Sequence, residues 1–572
     1  MIESKKIYIF SLASILFVYF FPDIYNSLAR HGVKYNNLYI PNFDTDVSLT
    51  WSYMIFNGMI PIKDFWYPYS GSYIFDLPSP IGEFILFLYL CFIFSILFYL
   101  LYKIFDLLDY DKNSTLFLSF VTTLIIILGS LTFIKPIFPQ PERHLLPFLF
   151  VFSYFVNINK QDKFSIILFW LIALVLIFFE VSQLLYCLPS VIFLIIYDRF
   201  FLKNPYKAIL KNNVILSSIP ILFTLIILLI FYKHNLLDKL LMIFDGSAIT
   251  HYMAMPYSFK LGSGNILTEK AFFILFPFLI FSTGLFFITH QKKSLNFLPP
   301  LIVCCGLIGL FNLYKHGIRP IDWAIFYSIF FGVFLICLHI DRMMLSIKQN
   351  RIYKLLQIPI SSFLFLSFLF FHFISGSVLD YSLGKIMSLK SRVNSALSPV
   401  FFDVNNNLDV PSKFDDRKLV NYKESIKFVK SFKAYTNSNN LLVLTDDPVI
   451  YPLMKIKPPY QINGFSLSPF SEQKLYIDQW ENKKWDYVVI NKNKLFIDGF
   501  SYIVRLPLVY SYLLSNYSPE IEFDDYFLFK RDDGKVSKNR NNINFYSKLF
   551  GNNIDFSHTF LNSSKPLNDL CE

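Results

Sequence analysis

The sequence predicts a polytopic α-helical membrane protein that ends in a small α/β domain outside the membrane. Of its 572 residues, 54% are hydrophobic, 19% are aromatic and only 16% are charged, and 68 residues are Phe. Soluble domains carry more charge and fewer apolar residues than this. Apolar runs of bilayer-spanning length recur as far as Ser375. Beyond Gly376 the composition shifts to Asn, Lys, Asp and Tyr, which indicates a soluble region.

About eleven membrane spans are predicted, because roughly 17–25 apolar residues in a helix cross a bilayer. The first run follows two lysines and lacks a small-residue cleavage signature, so we interpret it as a retained signal anchor. The runs are Ile7–Phe21, Ile81–Leu101, Thr115–Ile134, Leu145–Val156, Phe164–Phe179, Val181–Ile196, Val214–Phe231, Ala271–Thr289, Phe297–Leu313, Ala324–Ile340 and Leu355–Ser375.

The distribution of Lys and Arg predicts a cytoplasmic N-terminus and an external C-terminal region. Positive charge marks the cytoplasmic loops of membrane proteins, and here it concentrates in every second loop. The formal net charge of +11 follows largely from these loops, so no nucleic-acid partner is expected. The loops hold Lys103 and Lys112; Lys160 and Lys163; Arg199, Lys203, Lys207 and Lys211; Lys292 and Lys293; and Arg342, Lys348, Arg351 and Lys354.

Three regions are predicted along the chain. Residues 1–376 form the membrane domain, including a first external loop over 23–79, and residues 377–535 form the external α/β domain. Residues 536–572 are a polar tail, expected to be poorly ordered. In the α/β domain, helical patterns alternate with strand patterns at Leu441–Leu444, Tyr487–Ile490 and Ile521–Lys530. Five of the six cysteines fall in predicted spans, so neither a disulfide framework nor a zinc site is predicted.

The first external loop carries three acids among aromatic residues. Asp44 and Asp46 precede a short amphipathic run, Val47–Phe56, and Asp64 lies in an aromatic cluster. One interpretation is structural, because Asp favours helix N-termini and turns. The other is catalytic, because a carboxylate that takes a proton from a sugar hydroxyl makes that hydroxyl a better nucleophile. Asp64 would then hold the acceptor or a divalent ion.

Two other external loops carry cations that could grip a phosphate leaving group. Arg143 and His144 lie in one loop, and Lys315, His316 and Arg319 lie in another. Arg is well shaped to bind phosphate at two points. A span's terminal cation also reaches the interface for anchoring alone, and this interpretation is favoured for Arg143. For residues 315–322 the convergence of four polar groups between two apolar spans favours phosphate binding.

Three stretches resemble one known family. DTDVSLTWSYMIFNGMIPIKDFWYPYSG (residues 44–71) resembles the first external loop of the GT-C superfamily, the polyprenyl-phosphate-sugar-dependent integral membrane glycosyltransferases related to dolichyl-phosphate-mannose mannosyltransferases. LYKHGIRPIDWAIF (313–326) is similar to the late Arg-containing loop of bacterial members. DPVIYPLMKIKPPYQINGFSLSPFSEQKLYIDQWENKKWDYVVIN (447–491) resembles their external C-terminal domain. Asp44 falls at the position of the family's first acid, fourteen residues before Gly58.

The resemblance implies a GT-C-type glycosyltransferase of the bacterial cytoplasmic membrane. The enzyme would move a sugar from a polyprenyl-phosphate donor to a lipid-linked glycan or protein acceptor on the outer face. The anomeric configuration would invert, with Asp44 as general base. Many members have two adjacent acids, whereas here Thr45 separates Asp44 from Asp46, so both are catalytic candidates. Some branches of the family use a divalent metal and others do not, so the resemblance leaves the metal requirement open. Membrane lipid is an expected partner.

Two other functions are compatible with a multi-span chain of this kind. A transporter or flippase of lipid-linked oligosaccharide would carry ionisable groups in mid-span and broken helices in repeated halves. A glycan polymerase or ligase would also span the membrane many times, without needing the acid-bearing first loop. The ionisable groups here cluster in external loops and no internal repeat is visible, which favours the transferase.

Overall fold

A computed structural model describes most of the chain. The described residues are 2–22, 33–35, 38–40, 43–67, 74, 81–108, 110–133, 141–160, 162–179, 181–237, 265–290, 297–318, 323–346, 383–397, 423–462, 467, 470–497, 500–532 and 548–549. They are mostly helical, with a small sheet near the C-terminus. They fall into two compact units, 1–30 with 67–401 and 31–66 with 402–572.

Unit 1 is built from helices over the residues that are described. Ten of the eleven predicted apolar runs overlap its helices, and the eleventh, Leu355–Ser375, lies outside the described residues. The helices are α1 (Ile2–Phe20), α3 (Ile81–Leu107), α4 (Lys112–Phe133), α5 (Pro141–Asn159), α6 (Lys163–Phe179), α7 (Val181–Phe200), α8 (Tyr206–Lys233), α9 (Asn265–His290), α10 (Leu298–Ile318), α11 (Trp323–Ser346) and α12 (Leu389–Leu397).

Two of the described helices are both long and apolar enough to cross a bilayer, over Phe84–Leu107 and Tyr206–Lys233. The second of these is largely exposed within the protein, with 6% of its most apolar window buried. Six further apolar helical stretches, such as Lys163–Phe179, are shorter than 18 residues. The count of about eleven spans therefore stays a prediction from the sequence.

Loops predicted to be cytoplasmic contact one another within unit 1. Lys103 Nζ lies 3.1 Å from Asp162 Oδ2, and Lys160 Nζ lies 2.9 Å from Asp106 Oδ2. The Arg342 guanidinium lies 5.0 Å from the ring centroid of Tyr110. The end of α3, the α5–α6 connection and the end of α11 thus meet at one end of the unit.

Arg392 ties the end of α1 to α12. Its side chain is buried, and its guanidinium donates to the carbonyl oxygens of Phe21 at 2.6 Å and Val18 at 2.7 Å. The same guanidinium donates to the carbonyl of Lys385 at 2.6 Å. The last carbonyls of a helix have no partner within the helix, so a buried cation there satisfies groups that would otherwise be costly to bury.

Glycine sets the spacing between α9 and α10. A Cβ at Gly306 would lie 2.6 Å from the backbone nitrogen of Phe281, closer than any side chain tolerates. Gly306→Ala should therefore push the helices apart and destabilise the protein by about 1–3 kcal/mol, the usual cost of overpacking. The measurement is thermal unfolding of purified protein in detergent.

Gly384→Ala is the matched control, because no described atom lies within 4 Å of the position that its methyl group would take. Its melting temperature should stay close to that of the wild type, within the roughly 0.5 kcal/mol typical of surface changes. Equal melting temperatures for the two variants would contradict the close packing of α9 on α10.

Unit 2 is built on a four-stranded mixed sheet in the order β3-β4-β8-β7. β3 (Leu441–Val443) and β4 (Tyr487–Asn491) are parallel, with Val443 opposite Val489. β8 (Tyr526–Arg531) pairs antiparallel with both β4 and β7 (Tyr517–Phe523). The unit's other elements are β1 (Val33–Tyr35), β2 (Leu38–Ile40), α2 (Phe43–Phe56), α13 (Lys423–Tyr435), α14 (Ile450–Met454), α15 (Phe470–Lys483), β5 (Phe496–Ile497), β6 (Phe500–Ser501), α16 (Tyr502–Arg505) and α17 (Pro507–Asn516).

The core of unit 2 is aromatic. Trp480 is fully buried, and its indole donates a 2.6 Å hydrogen bond to the Tyr517 hydroxyl. That hydroxyl in turn donates to the Trp485 carbonyl at 2.7 Å. The polar tips of these large side chains are thereby satisfied inside the apolar core, as buried Trp and Tyr require.

Residues 31–66 cluster with the C-terminal region and not with the helices that flank them in sequence. The division at residue 376, with the first external loop in the membrane domain, stays a prediction from the sequence. In the structure the second segment of unit 2 begins at Phe402. Of the predicted polar tail, Lys548 and Leu549 are described, and the rest lies outside the described residues.

Candidate acid-bearing site

The site begins with helix α2. Its first turn carries Asp46, where an acid interacts favourably with the positive end of the helix dipole. The helix ends at Phe56, and Gly58 turns the chain with φ +76°. In this turn Gly58 N donates to Ile55 O and Met59 N donates to Met54 O, both at 3.0 Å. Glycine adopts this left-handed conformation at no steric cost, which explains why it follows the helix.

The second part of the site lies at the carboxyl ends of β3 and β4. Thr445–Asp447 follow β3, and a short 3₁₀ turn, Lys492–Lys494, follows β4. Asn491 caps this turn, because its side chain accepts from the backbone nitrogen of Asn493 at 3.0 Å. Because β3 and β4 are parallel, the residues that follow them lie at the same edge of the sheet.

Lys494 joins the two parts. Its Nζ lies 2.8 Å from Asp46 Oδ2 and 3.0 Å from Asp447 Oδ1. Both carboxylates are completely buried, while the lysine side chain keeps about a third of its surface exposed, at 32%. A cation between two buried anions compensates charges that would be costly to bury alone. The first external loop and the C-terminal domain are thus linked by a shared ion pair.

Asp447 is also held from the other side. Its Oδ2 accepts from the Tyr526 hydroxyl at 2.5 Å and from Asn491 Nδ2 at 3.2 Å. The Ser425 hydroxyl lies 3.3 Å from Oδ1 and 2.9 Å from the Tyr526 hydroxyl. Ser425, Asn491 and Tyr526 belong to α13, β4 and β8, so the Asp447 carboxylate contacts three different elements of the unit. Such a fully satisfied buried network favours one arrangement of its members.

The ionisation of the network is consistent with its geometry. Burial by itself would lower the pKa of Lys494, but Asp447 and Asp46 outweigh burial and raise the pKa above its ordinary value. Lys494 is therefore a cation at neutral pH. Burial, followed by the charge of Asp447, raises the pKa of Tyr526 far above its ordinary value, so that hydroxyl stays protonated and donates to the carboxylate.

Asp64 closes a turn after α2. Its carboxylate Oδ2 accepts from the backbone nitrogen of Ile60 at 2.8 Å, and its own nitrogen donates to the Ile60 carbonyl at 2.8 Å. Ile62 within this turn has φ +72°, the left-handed region, and its nitrogen bonds to Phe65 O at 2.9 Å. Asp64 thus has the contacts of a turn residue, the structural alternative that the sequence allowed.

The end of this turn is bonded to the C-terminal domain as well. The Trp66 nitrogen donates to the Tyr460 carbonyl at 2.7 Å, and the Tyr460 hydroxyl donates to the Ile62 carbonyl at 2.8 Å. Trp66 is buried and lies 6.2 Å from the ring of Trp51 on α2. Trp51 and Trp66 therefore both lie inside unit 2, as does Tyr460.

The other predicted site residues divide between the two units. Asp44 lies in the first turn of α2, and its side chain is outside the described residues. In unit 1, Arg143 and His144 lie in the first turn of α5, and the His144 side chain is buried. Lys315 and His316 lie in the last turns of α10, without described side chains. Arg319 falls outside the described residues.

Sequence reasoning missed Lys494, Asn491 and Tyr526. The signal for Asp447 was visible, because Thr445-Asp446-Asp447-Pro448 directly follows a predicted strand. Acids at the carboxyl end of a parallel strand are candidates for a site. Nothing in the sequence links Lys494 to Asp46, which precedes it by 448 residues.

Within the described part of the chain, no group of three or more His, Cys, Asp and Glu side chains is arranged to hold a metal ion. A scan against protein-family models gives no match, and a search of curated proteins finds no significant relative.

Proposed function

We propose that the chain is a membrane glycosyltransferase of the GT-C type. It moves a sugar from a polyprenyl-phosphate donor to a glycan, lipid-linked or protein acceptor on the outer face of a bacterial cytoplasmic membrane. The membrane domain spans the bilayer about eleven times, with the N-terminus in the cytoplasm. The observation that carries the proposal is the 2.8 Å ion pair between Asp46 and Lys494.

This ion pair supports the proposed topology. Two residues 448 positions apart can form it only if the first loop and the C-terminal domain lie on the same side of the membrane. The proposed arrangement of an odd number of spans places both outside. Three of the loops predicted to be cytoplasmic contact one another through Lys103, Lys160 and Arg342. These contacts support the proposal that the three loops lie on one side of the membrane.

The same ion pair also supports the family assignment. The loop and the domain that it joins are two of the three stretches that resemble GT-C enzymes. In a transferase, an acid-bearing loop folded onto an external domain would present its acid to an acceptor outside the membrane. Neither a flippase nor a polymerase requires this coupling of the first loop to the C-terminal domain.

Asp44 is the general base in this proposal. Asp46 is buried and engaged with Lys494, so its carboxylate serves to position α2. Residues of an α-helix turn by about 100° each, which separates positions 44 and 46 by about 200° around the axis. A carboxylate at position 44 therefore need not compete with the ion pair that holds position 46.

The reaction is a direct displacement. Asp44 takes the proton of the acceptor hydroxyl as its oxygen attacks the anomeric carbon, and the bond from that carbon to the phosphate oxygen breaks. The configuration inverts because the attack comes from the opposite side. Lys315, His316 and Arg319, with Arg143 and His144, bind the polyprenyl phosphate, whose charge needs fixed cations. Asp64 holds the loop that borders the acceptor.

A donor panel tests this proposal. Membranes containing the chain and membranes from the same host without it are incubated with polyprenyl phosphates carrying different labelled sugars. The proposal predicts that at least one label moves into a lipid-linked or protein fraction only where the chain is present. The same label distribution in both membranes for every donor, with the protein present in normal amount, would contradict a transferase.

A further inference from the structure

The segment that carries the acids is fixed to the C-terminal domain at both ends. Near its start, Asp46 on α2 pairs with Lys494 at 2.8 Å. Near its end, Trp66 and Ile62 bond to the backbone and hydroxyl of Tyr460 at 2.7 and 2.8 Å. Between these points α2 packs against α14, and Trp51 and Met54 are buried. The position of α2 is therefore set by the C-terminal domain.

Lys494 differs from the Tyr460 contacts, because it brings a positive charge to within 2.8 Å of the Asp46 carboxylate. The Asp46 carboxylate is completely buried, so losing an ion pair of 2.8 Å there is more costly than losing one at the surface. Without this ion pair the first turn of α2 would be held less firmly to the C-terminal domain at Asp46. The bonds of Trp66 and Ile62 to Tyr460, at the far end of the segment, would remain.

The opposite side of Lys494 is anchored. Asp447 holds the ammonium group at 3.0 Å and is itself fixed by Tyr526 and Asn491. Leu495, the next residue, is buried in the core of the unit. Lys494 is thus fixed relative to the sheet, and its ion pair with Asp46 holds the first turn of α2 at a defined place on the same sheet.

We infer that Lys494 is a positioning residue that sets the first turn of α2, and with it Asp44, from the C-terminal domain. The catalytic meaning of this inference rests on the proposed function, whereas the mechanical coupling does not. If Asp44 is the base, a shift of its turn by about 1 Å costs on the order of a hundredfold in rate, because reacting atoms must meet within a narrow range of distance. The C-terminal domain then acts as a part of the catalytic apparatus.

Hydrogen exchange of the full-length protein in detergent tests the coupling without any substrate. Lys494→Met should raise exchange of the backbone amides of α2 by about tenfold or more beyond any rise in β4 and β8, because Asp447 keeps its hydrogen bonds from Tyr526 and Asn491. Lys494→Arg, which keeps the charge, should restore most of the protection. Lys492→Met is the matched control, since Lys492 belongs to the same turn but pairs with Asp525 at 2.9 Å.

Two results would overturn the inference. Unchanged α2 exchange in Lys494→Met would show that the helix does not depend on the lysine. An equal loss of protection across α2, β4 and β8 would show that the lysine stabilises the whole unit and does not position one helix. If Lys494→Met fails to fold, Asp46→Asn decides by the same measurement, because it removes the pair while Lys494 and Asp447 stay together.

Kinetics provide the second readout. Once a donor is transferred by the wild type, Lys494→Met should lower kcat by about tenfold to a hundredfold with little change in the donor KM. Lys494→Arg should recover activity, and Lys492→Met should match the wild type. If α2 exchange rises in Lys494→Met but the wild type transfers no sugar, the proposed function is rejected and the coupling of α2 to Lys494 is retained. Raised exchange with an unchanged kcat would reject the positioning role.

Discussion

Asp44→Asn should reduce sugar transfer by about a hundredfold or more, because the amide cannot take the proton of the acceptor hydroxyl. The substitution keeps the size of the side chain and removes a charge–dipole interaction of at most about 1 kcal/mol from the first turn, so α2 should form normally. The loss should appear in kcat, since proton removal belongs to the transition state and not to donor binding. The measurement is the initial rate of labelled sugar transfer at saturating donor, with equal amounts of protein in the membrane.

Asp46→Asn distinguishes the role of Asp46 from that of Asp44. It removes the charge that faces Lys494 but leaves Asp44 in place, so the loss of transfer should be smaller than in Asp44→Asn. Full loss in Asp46→Asn with normal transfer in Asp44→Asn would assign the base to Asp46. Undiminished transfer in both variants would leave the two acids as structural residues and remove the catalytic interpretation of this loop.

Asp447→Asn should destabilise unit 2 by about 3–5 kcal/mol, the usual cost of breaking a buried ion pair by removing one partner. The carboxylate is completely buried, accepts from Tyr526 and Asn491 and pairs with Lys494. An amide has one acceptor atom in place of two and places donor hydrogens against the lysine. The transition can be followed by tryptophan fluorescence, because Trp480 and Trp485 lie in the core of the same unit.

Asp524→Asn is the control for this effect. Asp524 also pairs with a lysine, Lys427, at 2.8 Å, but the two side chains are 63% and 69% exposed. Exposed pairs contribute between about 0 and 1 kcal/mol, so this variant should unfold close to the wild type. Asparagine also tolerates the left-handed backbone of this position, where φ is +52°. Equal destabilisation by the two substitutions would contradict the central role of Asp447.

The pattern of secondary structure was predictable because it depends on local sequence. Long apolar runs such as Val214–Phe231 and Phe164–Phe179 form helices, and the alternating run Ile521–Lys530 falls in the β7–β8 hairpin. The turn after α2 was also predictable, since Gly58 and Pro61 are strong local signals. These features need only a few neighbouring residues to determine them.

The clustering of the first loop with the C-terminal region was not predictable from one sequence. It depends on the meeting of Asp46 with Lys494 and of Trp66 with Tyr460, pairs separated by hundreds of residues. Lys494 is one of 52 Lys and Arg residues, and nothing local distinguishes it. Hydrophobic periodicity predicts secondary structure, but it does not predict which distant residues pair in the tertiary structure.

The most direct test of the transferase is the fate of the donor. Purified protein is incubated with an acceptor-containing membrane extract and a labelled polyprenyl-phosphate sugar, and free polyprenyl phosphate and transferred label are measured together. We expect the wild type to release one polyprenyl phosphate for each sugar transferred and Asp44→Asn to release almost none. Donor consumption that is equal in the wild type and in Asp44→Asn, or label that moves without release of polyprenyl phosphate, would contradict the proposed reaction.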